Sequence, residues 1–190
     1  MTYDWLDLQI RAHDEFRRRL EAVTDWHAPT PDTDWDVTEL AKHVIREQQW
    51  VPVLLSGISI DEGQSEIAEL DDDDLRGEWA RYSAIATVAW ESVAFDTSVQ
   101  LSYDTVKMED YLKEQVSDVT IHSWDMARAT CSDEHLDDLL VAATWTIFEP
   151  QRETLAATGL YSDPILLDED APLQFRLLAI TGRDPRSGKD

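Results

Sequence analysis

The chain has 190 residues and carries 40 acidic against 16 basic side chains, a net charge of −24 at pH 7. Such a surface repels phosphate backbones and anionic lipid, which disfavours nucleic acid and membrane as partners, and no apolar run approaches the roughly 20 residues of a membrane span. With 43% apolar residues, eight Trp and a single cysteine, Cys131, the composition is that of a globular chain without an internal disulfide, suited to a reducing cytoplasm.

The N-terminal stretch MTYDWLDLQIRAHDEF is acidic and periodic, unlike a signal peptide. Leu6, Ile10, His13, Phe16, Leu20 and Val23 recur at spacings of three and four, which predicts a first amphipathic helix ending before the turn-rich HAPTPDTD. Asp36 and Glu39 stand in capping-box spacing and open a second helix with Leu40, Val44, Val51 and Leu54 on one stripe. Pro52 removes a backbone donor near its end and is expected to kink it. An acidic linker follows, in which Asp71–Asp74 open a third helix, where the dipole favours negative charge. Leu75, Trp79, Tyr82, Ala86, Ala89 and Val93 mark that helix.

Val99, Leu101 and Tyr103 then alternate, with Asp104 as a turn residue, so a short hairpin or extended segment precedes the fourth helix. The fourth helix begins near Glu109 and carries Leu112, Val116, Val119 and Met126. A fifth, from HLDDLL onward, is kinked or broken near Pro150 and stopped by Gly159, and PLQFRLLAITGRDP supplies a short last helix ending at Gly182. The pattern predicts an all-α fold, a helical bundle in one domain over 1–190, the bundle spanning about 3–131 and a C-terminal helical extension about 132–185.

Asp118 and His122 are four residues apart and therefore share one helix face, close enough to hold one divalent ion. Tyr111, Gln115, Asp118, His122 and Asp125 form one polar stripe beside the Leu112/Val119/Met126 face, and a polar strip at the margin of a core must find partners. His43, on the second helix, is the third ligand candidate. Two imidazoles and a carboxylate leave coordination positions open, as catalytic rather than structural sites do. The same spacing also fits a His–Asp hydrogen bond at the bundle rim. His43 beside Val44 also fits a satisfied core histidine, and His13, on the apolar stripe, reads as core or as support around the site. His27 and His135 fall in exposed contexts. Cys131 lies about two and a half turns beyond His122, too far to share its ion, and no GxSxG, P-loop or GxGxxG is present. Trp50 and Trp124 are candidates to wall a pocket.

Three blocks, APTPDTDWDVTELAKHVIREQQWVPVLLSG, DVTIHSWDMARAT and FRLLAITGRDP, give the chain its resemblance to the DinB-like metal-binding four-helix bundles. More closely, it resembles the family typed by the mycothiol-dependent maleylpyruvate isomerase metal-binding domain. The family's metal-binding histidine falls on His43 and its carboxylate-x3-His pair on Asp118 and His122. The resemblance implies a four-helix bundle with a long crossover and one divalent metal, zinc in the best-known members, with nickel or iron as alternatives. It also implies a low-molecular-weight thiol, mycothiol or similar, activated for transfer or isomerisation of an electrophilic substrate, or water activated for hydrolysis. A metal-binding or interaction module without turnover is the competing reading, and a homodimer is left open. Asp118 replaces the isomerase's glutamate, Asp32 a cysteine common in the first block, and Cys131 a glycine. The chain ends soon after GRDP, so the isomerase's additional C-terminal domain is expected to be missing. Asp125 is placed to orient a ligand imidazole or to serve in a cap or ion pair, and Arg128 to steer an anionic substrate or pair with nearby acids.

Overall fold

The structure, a computed structural model, describes residues 2–32, 35–153, 155, 161–168 and 170–186. Helix α1 (Trp5–Glu21) starts at Asp4, whose carboxylate accepts from the backbone N–H groups of Leu6 and Asp7 and so satisfies donors the helix leaves free. It buries Trp5, Leu8, Ala12, Phe16 and Leu20. The expected stripe is thus rotated: Ile10 is 44% exposed, while Ala12 and Gln9, which an apolar count passes over, face inward.

Helix α2 (Val37–Leu55) carries both bonds of the capping box, Glu39 N–H to Asp36 at 2.9 Å and Asp36 N–H to Glu39 at 3.0 Å. It runs through Pro52 to Leu55; the proline lies in the last turn, where one lost bond does not end the helix. The acidic linker is less plain than expected, since it holds a short helix α3 (Ile60–Gly63) and a 3-10 turn, and buries Leu70. Asp74, last of the four aspartates, caps α4 (Leu75–Ser92) by accepting from Gly77 N–H at 3.0 Å. The strands β1 (Ser98–Gln100) and β2 (Thr105–Lys107) pair antiparallel, Val99 opposite Val106, and lead directly into α5 (Met108–Ala129).

Helix α1 packs along α5 and α4, and α2 packs along the same two, so the four long helices form a ring in which α1 and α2 sit diagonally. Trp79, Trp90, Phe16, Leu40, Ile45 and Leu112 fill the middle. Helices α6 (Asp138–Phe148) and α7 (Leu173–Ile180) add a second apolar cluster on α5, built on Ile121, Trp124, Leu136, Leu177 and Leu178. The predicted fifth helix breaks as expected: its α-helical part stops at Phe148 and Pro150 sits in a 3-10 turn, while Gly159 lies outside the described residues. Gly182 follows α7 at φ +79°, and a Cβ there would stand 2.6 Å from Cβ of Ser162, which explains glycine at this turn. Among the described residues, no helix is long and apolar enough to cross a membrane.

Candidate metal centre

The seam between α2 and α5 brings together His43, Asp118 and His122. His122 Nε2 lies 3.3 Å from one Asp118 oxygen and His43 Nε2 lies 3.7 Å from the other. One ligand atom from each residue falls within 4.8 Å of the other two. Neighbouring ligand atoms of a tetrahedral ion with bonds of 2.0–2.2 Å are roughly 3.4 Å apart, so small side-chain adjustments suffice to close on one. Asp118 Oδ2 is buried with no hydrogen-bond partner, an orphaned acceptor that a cation would satisfy. The residues fit a divalent ion.

Burial alone would raise the Asp118 carboxyl, but His122 and His43 hold it far below the carboxylate range. His122 is the converse: burial opposes its charge, yet Asp118 and then Asp125 push it up to about 10. The ring of His122 is fixed from behind. Its Nδ1 donates to Asp125 Oδ2 at 3.0 Å, leaving Nε2 toward Asp118, the arrangement that sets the tautomer of a ligating imidazole. Asp125 is fully buried and takes two bonds from Arg183, Nε at 3.2 Å and Nη2 at 2.9 Å. Arg183 also reaches Asp32 at 3.4 Å and the Thr181 carbonyl at 2.9 Å. The C-terminal GRDP block thereby locks the fourth bundle helix and the segment before α2 onto the site.

Trp35 covers the pair of imidazoles, its ring 4.6 Å from that of His43 and 5.8 Å from that of His122. Next to it lies a groove of about 470 Å³, lined by Trp35, Glu39, Lys42, His43, Arg46, Glu47 and Trp50. His43 is therefore shared between the cluster and an opening to solvent.

The other predicted residues are placed as follows. Asp125 orients His122 and makes no cap. Trp50 lines the groove. Trp124 does not: it is two residues beyond His122, hence on the opposite side of α5, and it packs in the α6/α7 cluster under Arg128. Arg128 pairs with Glu134 at 2.7 Å and the Pro185 carbonyl at 3.2 Å, so it sits away from the groove. His13 is a core residue, bonded to Gln48 at 3.0 Å and to Gln9, and His27 bonds to Asp36 in an exposed position. Sequence reasoning passed over Trp35, Arg183 and Glu47. Of these, only Glu47 had a usable signal, its four-residue spacing from His43.

Comparison with known proteins bears on the family and the fold. The family model of the mycothiol maleylpyruvate isomerase N-terminal domain matches residues 10–127. The fold is similar to the crystal structure of the mycothiol-dependent maleylpyruvate isomerase, with a TM-score of 0.70 and 18% identity over 94% of this chain and 88% of that one. A histidine-to-alanine mutant of that enzyme matches at 0.70 and 17%, with the same coverage. Coverage of 88% gives no support to the expectation that a whole C-terminal domain is missing here. No curated protein matches the sequence.

Proposed function

The chain belongs to the mycothiol maleylpyruvate isomerase N-terminal domain family, and from that premise we propose that it is a metal-dependent enzyme acting with a small thiol. His43, Asp118 and His122 would hold one divalent ion, with zinc first and nickel or iron as alternatives. Such an ion supplies Lewis acidity, lowering the pKa of a thiol or water toward neutrality. The protein's own groups do the rest. Asp125 keeps the His122 Nε2 lone pair aimed at the seam, and Arg183 keeps Asp125 charged and still. Trp35 lies against the rings of both histidines. The groove admits a low-molecular-weight thiol of the mycothiol type and an electrophilic substrate, with transfer or isomerisation as the reaction class and hydrolysis where water takes the thiol's place. Arg46, exposed in the groove wall and without a hydrogen-bonding partner among the described residues, suits a substrate with an anionic end.

The observation that carries this reading is that the convergent His43–Asp118–His122 cluster opens, through His43, onto a groove. A sealed site would favour a non-catalytic module instead. Elemental analysis tests the site: the purified chain should contain about one divalent ion. His43→Ala and His122→Ala should each lose it while His27→Ala and His135→Ala retain it. Full metal content in both ligand variants would remove the assignment.

A further inference from the structure

Glu47 lies one turn after His43 on α2 and borders the same groove. Across the seam, Gln115 of α5 donates from Nε2 to Glu47 Oε2 at 3.1 Å. The Gln115 amide cannot turn round without losing a second bond, because its oxygen accepts from Gln48 Nε2 at 3.2 Å. The carboxylate is thus held by one oxygen, and Oε1 has no hydrogen-bond partner among the described residues. The other acid and the lysine of the groove are engaged: Glu39 in the capping box of α2 and Lys42 with Asp72 at 2.6 Å.

We propose that Glu47 is the proton acceptor for the thiol of the reading above, on which this inference rests. When the thiol enters the groove its S–H bond breaks, the electron pair stays on sulfur, and the proton forms an O–H bond with Glu47 Oε1. The negative charge gained at sulfur is matched by the charge lost at Glu47, so the half-buried site accepts the nucleophile without a net change in charge. A purely structural carboxylate, there only to receive Gln115, would be replaced by glutamine without consequence, since a glutamine oxygen accepts the same bond.

The test counts protons. Mycothiol is titrated calorimetrically into the zinc-loaded full chain at pH 7.5 in phosphate and in Tris, whose different ionisation enthalpies report proton release; a free thiol of pKa about 8.5 is mostly protonated there. The wild type should release almost no protons per thiol bound, because Glu47 captures the one lost. Glu47→Gln should release about one while keeping its zinc, Glu47→Ala should do the same, and Glu47→Asp should restore capture. Equal proton release by wild type and both neutral variants would overturn the proposal. So would loss of zinc in folded Glu47→Gln, which would make Glu47 a ligand. Zinc-loaded wild type that binds no mycothiol would overturn the thiol reading and this inference together, whereas thiol binding with unchanged proton counts would overturn the inference alone.

Discussion

His13 and His122 carry the same ring and behave oppositely, because one meets amides and the other carboxylates. His13 is enclosed by Gln9, Gln48 and Trp79, and burial pushes it down to about 4. His122 lies between Asp118 and Asp125 and is pushed up to about 10. For His13 the linkage has a definite sign. The folded value lies below the unfolded 6.5, so the unfolded chain binds the proton first as pH falls. The stability is present above pH 6.5 and is lost toward pH 4. Between pH 7 and pH 5 this amounts to about 2 kcal/mol. Denaturant unfolding at the two pH values should therefore show a loss smaller by about that amount in His13→Gln than in the wild type. Identical losses would mean that His13 is protonated in the folded state. Asp125 shows the same logic with a third kind of partner: fully buried, it is kept charged by Arg183 and His122, and without them it would be an unpaired charge in the core.

At the scale of elements, α2 presents His43 and Glu47 because its first turn is pinned by the Asp36/Glu39 box. Asp36→Ala should cost about 1 kcal/mol in chemical denaturation, and an unchanged midpoint would show that the cap contributes nothing. This box was readable from spacing alone, as were the hairpin before α5, the break at Pro150 and the shared face of Asp118 and His122. All of these are local, decided within a few residues of chain. What was not readable depends on which face meets which neighbour. Ile10 fits the apolar period of α1 yet stays exposed, because α4 and α5 approach on the Trp5–Ala12–Phe16 side. Trp124 looked close to His122 in sequence but faces α6 and α7. Arg183 is 58 residues beyond Asp125, and no pattern in the chain announces that pair. Trp35 gave no periodic signal, since it precedes the helix and reaches the imidazoles through the Pro29–Asp36 bridge.

Over the whole molecule, 40 carboxylates face 16 cations, and many of those cations are already engaged in ion pairs such as Arg11–Asp7, Arg17–Glu21 and Lys113–Asp110. Exposed pairs of this kind contribute little, so the remaining self-repulsion dominates the electrostatic response. The melting temperature should rise between low ionic strength and about 0.15 M salt as that repulsion is screened. A fall over the same range would show that attractive pairs outweigh it. In the groove beside His43, Lys42 and Arg46 stand against Glu39 and Glu47.

We propose that three side chains from two helices, His43, Asp118 and His122, hold one divalent ion with room left for a thiol. X-ray absorption at the zinc edge of the metal-loaded protein, with and without mycothiol, tests it most directly. Two imidazole nitrogens and carboxylate oxygen near 2.0–2.2 Å are expected without thiol, and one added sulfur at about 2.3 Å with it. A spectrum with no imidazole contribution, or one that mycothiol leaves unchanged, would contradict the account.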